Sequence, residues 1–557
     1  MLPPQYPNIT GFKTQHSIQL GKAALLIALL FIFEGIIFTF TSTTYITPFY
    51  PRFFDQVQYL RESYLAYEEM QKNGLWSAIF SSLSNQVAQG VWHDFFALLS
   101  MSIFGPNRLS ALIVNFFWLT LFQLSLFLVT LRSSRNVSIA WIAFLMPLLI
   151  QGIWRPDVGG ALYDFRLDHL AMCMMGLTII ACIKTEKFTN RKWAILFGVV
   201  TSITITSRFL TAAYFFLIFI LLFSVLLMMK NKKSCINNLI ISAFAASPIS
   251  IIFFYKNWAR IYDYYLVGHV VGIEKAVRAS GLNIFETFEY ISINGLYQFQ
   301  GPIFFAIFFL ILISYLLVAK NFKDSFSSME FFSSEFSWWR IVGLIFFISP
   351  MIILAFESEA QNAVLSIITP GLIIFFLGLA APCYLGIEAM KPRFAKALIL
   401  LLTVVSIINF TFSNIKFSEF KEFENNANNI SGIADYIFLF STTNNSTVKM
   451  ATNRIVEFLD GNILKVFIYE RHHQWLQLEG VLPGSHLEMI NSQVYAKLKQ
   501  SDLVFSIESP AIVRGFPSEL QMQSLQDNLK NIYNSEFKQI ETMNVFNQSI
   551  VIYERKK

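Results

Sequence analysis

The feature that most constrains this chain is a series of long apolar runs that fills its first three quarters. Each run is long enough to cross, as a helix, the roughly 30 Å hydrocarbon core of a bilayer. We count eleven runs, at approximately residues 20–42, 108–131, 138–153, 167–183, 193–207, 209–229, 237–255, 302–319, 340–356, 363–385 and 396–413. The first run is too long for a signal peptide and lacks a small-residue cleavage site. The sequence therefore predicts an α-helical polytopic membrane protein of about eleven transmembrane helices.

The composition fits a chain whose solvent is mostly lipid. Hydrophobic residues make up 55% of the 557 residues and charged residues 14%, with 59 Phe. A soluble globular chain carries about 25% charged residues. These figures exclude a disordered chain, a disulfide-stabilised scaffold, a cytosolic enzyme and an ordinary nucleic-acid-binding protein. The four cysteines lie in or beside apolar runs, which argues against a disulfide framework.

The basic residues of the short connections predict the orientation, because Lys and Arg are enriched in cytoplasmic loops. With eleven spans and a cytoplasmic N-terminus, every short basic cluster falls on the inner side. The clusters lie at residues 132–135, 184–192, 230–233, 320–323 and 391–396. We therefore expect a multi-pass protein of a bacterial inner or plasma membrane. Its C-terminal region then faces the periplasm or cell exterior, or the lumen in a eukaryote.

The region 414–557 differs in composition from the transmembrane region 1–413. It carries 14 Lys and Arg against 16 Asp and Glu, a net charge of −2, whereas the whole chain carries +6. Its apolar runs are short and read as strands: LKVFIY at 464–469, LVFSI at 503–507 and SIVIY at 549–553. Polar stretches compatible with helices, such as 518–534, lie between them. This alternation predicts a small extracytoplasmic α/β domain.

The first outer loop, 43–107, is very long for a membrane protein and contains a candidate catalytic carboxylate, Asp55. After Asp55, the apolar residues Val57, Leu60, Tyr64 and Tyr67 recur at spacings of three and four. This spacing predicts an amphipathic helix that lies along the membrane surface. Asp55 is interpreted either as the N-cap of this helix or as a carboxylate that takes a proton or binds a cation. A second segment, 91–104, is expected to reach the interface in the same way.

The second outer loop, 154–166, and the residues after it are dense in charge. The ionisable residues are Arg155, Asp157, Asp164, Arg166, Asp168 and His169. In a single helix over 163–183, Asp164 and Asp168 share a face, while Arg166 points elsewhere. Two carboxylates at the edge of a membrane are costly unless a cation, a proton or an arginine neutralises them. One interpretation is an Arg–Asp network that closes the loop with Gly159–Gly160 as its turn. The other is contact with a substrate or a metal.

Three further ionisable positions are unusual for a membrane protein. Arg208 lies in a tight outer hairpin, where a lone cation needs an anionic partner. Arg260 belongs to the basic, aromatic third outer loop, 256–300, which suits either an anionic headgroup or an interfacial anchor. Glu34 lies inside the first span and is expected to face other helices rather than lipid. Glu357 and Glu359 lie at another outer boundary and are candidates to add a carboxylate.

The overall organisation resembles the GT-C superfamily of membrane glycosyltransferases. The resemblance consists of a cytoplasmic N-terminus, one span, a long outer loop of amphipathic helices with an early Asp, some ten further spans and an external α/β domain. It is strongest to the group of protein O-mannosyltransferases and aminoarabinose transferases. Asp55 maps onto the acidic residue of the family's first loop, although Gln56 follows where O-mannosyltransferases carry a second acid. Asp164 and Asp168 resemble second-loop acidic residues of some members, and the oligosaccharyltransferase signature WWDYG is missing.

The resemblance implies a donor in which a polyprenyl phosphate carries one sugar. It implies transfer to a glycan, lipid or protein acceptor on the extracytoplasmic face by a single inverting displacement, with Asp55 as base. Asp164 or Asp168 would orient the acceptor or hold a divalent cation such as Mg²⁺ or Mn²⁺, with His169 as a further candidate ligand. The phosphate would be bound by one or more arginines: Arg155, Arg166, Arg208 and Arg260.

Two other classes of function compete with this interpretation. A secondary transporter or lipid flippase predicts spans broken by Gly and Pro in paired halves and ionisable residues near the middle of the membrane. A non-catalytic membrane scaffold predicts nothing that explains the charge density of the second loop. Because the charges cluster at the outer loops and Glu34 is nearly alone inside a span, the distribution favours the enzyme.

Overall fold

The structure is a computed structural model and is mostly helical. It describes residues 9–51, 54–84, 90–271, 283–321, 335–357, 365–415, 420–444, 447–483, 487–508, 517–545 and 547–556. The chain forms two compact units. The first comprises residues 1–40, 69–103 and 111–416, and the second comprises residues 41–68, 104–110 and 417–557.

The helices account for nearly all of the first unit and part of the second. In chain order they are α1 (Ile9–Thr41), α2 (Phe54–Asn73), α3 (Leu75–Ser84), α4 (Trp92–Phe104), α5 (Arg108–Ser134), α6 (Val137–Leu145), α7 (Gln151–Trp154), α8 (Leu167–Lys184), α9 (Arg191–Ser207), α10 (Thr211–Leu227), α11 (Lys232–Ile261), α12 (Ile284–Glu289), α13 (Tyr297–Gln300), α14 (Pro302–Asn321), α15 (Glu335–Glu357), α16 (Thr369–Met390), α17 (Pro392–Ile415), α18 (Phe420–Asn444), α19 (Gly461–His472), α20 (Asn491–Gln500), α21 (Pro517–Ser524) and α22 (Gln526–Glu536). Short segments of 3₁₀ or π geometry lie at Ser42–Ile46, Met146–Leu149, Tyr262–Val271, Tyr290–Leu296, Ser366–Ile368 and Glu457–Leu459.

The eleven predicted spans all fall on helical segments, which confirms the membrane class. Within the described ranges, seven helices are long and apolar enough to cross a membrane, or eight if α12–α13 and α14, bent by 106°, form one broken span. Two further apolar helices, Val137–Leu149 and α10, are shorter. The run at 138–153 is divided between α6, a 3₁₀ turn and α7. The count of eleven spans stays a prediction.

Polar side chains inside the first unit are buried between helices rather than turned to lipid. The Thr178 and Thr204 hydroxyls are 2.8 Å apart between α8 and α9, and those of Ser202 and Ser250 are 3.1 Å apart between α9 and α11. Such hydroxyl contacts help to hold helices together inside a bilayer, where the hydrophobic effect does not drive helices to associate. Glu34 is fully buried, and the Gln123 amide donates to its carboxyl oxygen at 3.4 Å. The expectation that Glu34 faces other helices is confirmed.

The second unit contains a five-stranded mixed sheet in the order β2-β1-β3-β5-β4. Its strands are β1 (Val448–Thr452), β2 (Leu478–Leu482), β3 (Leu503–Ile507), β4 (Phe537–Val545) and β5 (Gln548–Arg555). Strand β1 runs parallel to β2 and β3, and β5 runs antiparallel to β3 and β4. The predicted α/β domain is confirmed, with LVFSI as β3, SIVIY inside β5 and 518–534 helical. The strand predicted at 464–469 is wrong, because these residues form the buried face of α19.

The amphipathic helix predicted after Asp55 is present as α2, but its apolar face is not directed at lipid. Val57, Leu60 and Tyr64 are buried within the second unit. The Tyr64 hydroxyl donates to the Glu470 carboxylate at 2.6 Å, and its ring lies 5.1 Å from that of Tyr469. These side chains therefore pack inside the protein, and the expectation that α2 lies along the membrane surface stays a prediction.

Glu470 also forms a buried ion pair with Arg108, the first residue of α5. The Arg108 Nε donates to Glu470 at 3.1 Å, and its Nη1 donates to the carbonyls of Ile46 and Phe49 at 3.1 and 2.7 Å. The Arg108 side chain is 2% exposed. Within the second unit, this cluster therefore joins the residues after α1, the start of α5, and helices α2 and α19.

Candidate functional site

Hydrogen bonds hold the second outer loop, residues 154–166, in a defined conformation. Gly160 has φ +76°, a left-handed conformation that a residue with a Cβ rarely adopts. This turn aims the Gly160 N–H at the carboxylate of Asp164, at 2.7 Å. From α5, the Asn115 amide donates to the carbonyls of Leu162 and Asp164, both at 3.0 Å. The loop is thus tied both to itself and to a transmembrane helix.

Asp164 is fully buried and forms an ion pair with Arg166. Burial raises the pKa of Asp164 to about 6, while the Arg166 guanidinium and the Gly160 N–H act in the opposite direction. The arrangement corrects the helix drawn over 163–183. Helix α8 begins at Leu167 with Arg166 as its N-cap residue, so Asp164 precedes the helix and does not share a face with Asp168. Arg166 points to Asp164 rather than away from it, because the buried carboxylate needs a counter-charge.

Asp168, in the first turn of α8, pairs with Arg208 at 2.6 Å. Their side chains are 3% and 14% exposed. Arg208 follows the last residue of α9, and its carbonyl accepts a 2.7 Å hydrogen bond from the Thr211 hydroxyl that begins α10. The Asp168 carbonyl accepts from Ser366, ahead of α16, at 3.5 Å. The ion pair and this hydrogen bond therefore bring together the start of α8, the end of α9 and the segment before α16.

Two buried histidines accompany the ion pairs. His169 follows Asp168 in α8, and His93 is the second residue of α4. The His93 ring lies 3.8 Å from the ring of Phe165, centroid to centroid. Burial and, to a smaller extent, the neighbouring His169 together lower the pKa of His93 to about 3. His93 is therefore neutral at physiological pH, and its ring nitrogens can take part in hydrogen bonds without adding a charge.

Sequence reasoning did not select His93, because it reads as part of an amphipathic segment. The signal available was the pair His93–Asp94 at the polar start of an otherwise apolar run.

The turn before α4 is fixed against the end of α9. The Val91 N–H donates to the Thr206 carbonyl at 3.1 Å, and the Trp92 indole donates to the Thr206 hydroxyl at 2.6 Å.

The structure brings together five of the predicted site residues: Asp164, Arg166, Asp168, His169 and Arg208. Arg155 instead pairs with its neighbour Asp157, and Arg260 is an exposed side chain near the end of α11. Asp55 is the second residue of α2, in the second unit, and is exposed. It thus lies inside the first turn rather than at the N-cap. Glu359 lies outside the described residues, as does the side chain of Glu357.

The divalent cation stays a prediction, and both carboxylates proposed to hold it contact arginines in this structure. In the described parts of the chain, no group of three or more His, Cys, Asp and Glu residues is arranged to hold a metal ion. Asp164 already engages Arg166 and the Gly160 N–H, and Asp168 engages Arg208. A carboxylate that neutralises an arginine offers little negative charge to a metal.

No family model matches the sequence, and no curated protein matches it. Solved structures do match. The structure of ArnT from Cupriavidus metallidurans in the apo state has 11% identity and a TM-score of 0.55, over 95% of this chain and 98% of that one. The structure of the same ArnT bound to undecaprenyl phosphate has 11% identity and a TM-score of 0.53, over 94% and 97%. The resemblance inferred from the sequence is confirmed as to fold: over nearly its whole length, this chain has the fold of the ArnT structures.

Proposed function

We propose that the chain is an integral membrane glycosyltransferase that takes its sugar from a polyprenyl-phosphate-linked donor. The observation that carries the proposal is the pair of buried Asp–Arg contacts, Asp164–Arg166 and Asp168–Arg208, where helices end in a GT-C fold. Two buried charged pairs are costly to desolvate and add little stability, so a role in binding accounts for them better than a purely structural one. The match to an ArnT structure bound to undecaprenyl phosphate supports the class of donor.

Arg208 is the first candidate to bind the donor phosphate. A guanidinium has five donors in a planar fork, which suits a phosphate as well as a carboxylate. The contact with Asp168 uses Nη1, and 14% of the arginine side chain is exposed. Asp168 holds the Arg208 guanidinium in place before substrate binds, so the guanidinium needs no rearrangement when the phosphate arrives. Arg166, held by Asp164, is the second candidate.

The proposed reaction is one displacement at the anomeric carbon. The acceptor hydroxyl gives its proton to the Asp55 carboxylate and forms the new bond to the anomeric carbon. The bond from that carbon to the phosphate oxygen breaks, and its electron pair leaves with the polyprenyl phosphate, whose negative charge the arginines stabilise. A single displacement inverts the sugar. The acceptor is a glycan, a lipid or a protein on the extracytoplasmic face. Asp55 is assigned by its sequence position and by its exposure in the first turn of α2.

The assignment of the base is tested with Asp55→Asn in membranes supplied with polyprenyl-phosphate-linked sugars. We expect transfer to fall by at least 100-fold, the scale of general-base catalysis, while the binding of undecaprenyl phosphate is unchanged. Glu62→Gln, an acidic residue on the same helix, is the matched control and is expected to keep full activity. A folded Asp55→Asn protein with near-normal transfer would overturn the role of Asp55.

Donor binding is tested separately with Arg208→Gln and Arg166→Gln. We expect Arg208→Gln to weaken the binding of undecaprenyl phosphate at least 10-fold, and Arg166→Gln to weaken it less, because Arg166 contacts a more deeply buried carboxylate. Arg155→Gln removes a guanidinium from the same loop but from a half-exposed pair, and is the control. If all three variants bind the lipid like the wild type, the proposed donor site is wrong.

A further inference from the structure

Arg340 of α15 lies in a cleft between three helices of the first unit. Its guanidinium stands over the ring of Tyr315 on α14, 5.2 Å from the ring centroid. Its Nη1 lies 3.4 Å from the carbonyl of Gly378 on α16. Helix α16 comes this close because residue 378 is glycine: a Cβ there would lie 2.7 Å from the Arg340 Cγ and 2.9 Å from its backbone nitrogen. Helix α16 therefore packs directly against Arg340.

Among the described residues, no carboxylate balances the charge of Arg340 in this cleft. In the portion of the chain that the structure describes, no carboxylate lies within ion-pair distance of the Arg340 guanidinium. One of five donors has a carbonyl partner, at the long distance of 3.4 Å. A half-buried cation in an apolar helix bundle is costly unless an anion compensates it, and such residues mark binding sites. The geometry requires an anionic partner.

The position of Arg340 along α15 indicates where that partner comes from. Two residues earlier, the Trp338 ring contacts Phe188, at 6.4 Å between centroids. Phe188 belongs to the connection between α8 and α9, which carries the basic cluster at 184–192. Since a helix rises about 1.5 Å per residue, Arg340 lies within roughly 3 Å along the helix axis of the level of Trp338. Basic connections of this kind face the phosphates of anionic lipids.

The surface around the cleft is apolar. Ile341 and Leu344 of α15, and Ile313 and Leu316 of α14, are exposed. In a bilayer these side chains face acyl chains. A cation with spare donors thus stands beside an acyl-facing surface, at the level of the basic loops.

We propose that Arg340 binds the phosphate of an anionic phospholipid from the leaflet that the basic connections face. The guanidinium takes the phosphate oxygens as a bidentate ligand, Tyr315 stacks beneath it, and the acyl chains lie along α14 and α15. This site is distinct from the ion pairs at the other ends of the helices and is independent of the proposed transfer reaction. The bound lipid closes the cleft between α14, α15 and α16.

The test compares the purified full-length protein with Arg340→Gln in nanodiscs of phosphatidylcholine alone and with added phosphatidylglycerol. We expect phosphatidylglycerol to raise the Tm of the wild type by several degrees and to have at most half that effect on Arg340→Gln. Arg393→Gln removes an exposed arginine from the start of α17 and is expected to respond like the wild type. Native mass spectrometry should find phosphatidylglycerol retained by the wild type and by Arg393→Gln at equal lipid concentration, and retained at least several-fold less by Arg340→Gln.

Three results would overturn the proposal. An unchanged phosphatidylglycerol response in Arg340→Gln would remove Arg340 from the site. An equal loss of stability in both lipid compositions would show that its partner is within the protein, such as an acidic residue of the 322–334 connection. Inorganic phosphate that reproduces the whole response in detergent would show that the ligand is soluble phosphate rather than a lipid. If Arg340→Gln does not fold, Arg340→Lys replaces it, and unchanged retention of phosphatidylglycerol by that variant contradicts a bidentate site.

Discussion

At the scale of single residues, burial separates the charges of this chain into two groups. Asp164 and Asp168 are almost completely buried, and each is held by an arginine. Asp55 is exposed in the first turn of a helix. A buried carboxylate that is already neutralised is suited to positioning a cationic group, whereas an exposed one is accessible to an acceptor hydroxyl. This difference in burial supports a different proposed role for Asp55 than for Asp164 and Asp168.

The Asp168–Arg208 pair gives a prediction about stability. Removing one partner leaves the other charge buried without compensation, which typically costs about 3–5 kcal/mol. We expect Arg208→Gln and Asp168→Asn each to lower the Tm strongly, and the double variant to lose less than the sum of the two. The measurement is a double-mutant cycle by thermal unfolding in detergent. Strictly additive losses would show that the two side chains do not interact.

The buried carboxyl of Asp164 gives a prediction about pH. Burial raises its pKa to about 6, above the ordinary 3.8, so the folded protein binds the proton more tightly than the unfolded chain does. Its charged form therefore destabilises the folded state at pH 7, and this cost is relieved as the pH falls through about 6. Each pKa unit corresponds to about 1.4 kcal/mol. We expect the Tm of the wild type to rise relative to that of Asp164→Asn between pH 7 and pH 5.

Parallel curves for the two proteins over that range would contradict the raised pKa. A wild-type Tm that falls relative to Asp164→Asn on acidification would show that Arg166, rather than burial, dominates the titration.

At the scale of elements, the amphipathic pattern identified a helix but not the partner of its apolar face. The spacing of Val57, Leu60 and Tyr64 predicted α2 correctly, yet these side chains are buried within the second unit rather than in lipid. The run LKVFIY at 464–469 was read as a strand and is the buried side of α19. A short apolar run is compatible with either structure, and tertiary packing decides between them.

The contacts of α19 with α2 and α5 give a prediction at this scale. Glu470→Gln leaves the Arg108 guanidinium buried without a counter-charge. It also weakens the hydrogen bond that residue 470 accepts from the Tyr64 hydroxyl. We expect the second unit to lose about 3–5 kcal/mol of stability, seen as faster limited proteolysis of residues 417–557. Arg471→Gln, next to Glu470 on α19, breaks the half-exposed pair of Arg471 with Asp435 of α18 and is expected to cost about 0–1 kcal/mol. Equal sensitivity of the two variants would contradict the dominance of the buried pair.

At the scale of the whole molecule, the basic loops predict an orientation that the fold does not establish. The four native cysteines are all buried, so introduced cysteines are the reactive ones. We expect Asn491→Cys, on exposed α20, to react with a membrane-impermeant thiol reagent in intact cells. Lys230→Cys, in an exposed connection that the basic clusters predict to be cytoplasmic, should react after the membrane is opened. The reverse pattern would invert the proposed topology and place the C-terminal domain in the cytoplasm.

The sequence by itself determined the membrane class, the helical positions of the predicted spans, the C-terminal sheet domain and the second loop as a centre of charge. These follow from composition and from periodicity, which are local properties of the chain. The tertiary structure decided which charge meets which. Asp168 and Arg208 are 40 residues apart, and their pairing depends on α8 beginning beside the α9–α10 hairpin. His93 and Arg108 could not be chosen from the sequence for the same reason, since their neighbours come from distant segments. Burial and charge pairing are properties of packing, and no pattern along one segment contains them.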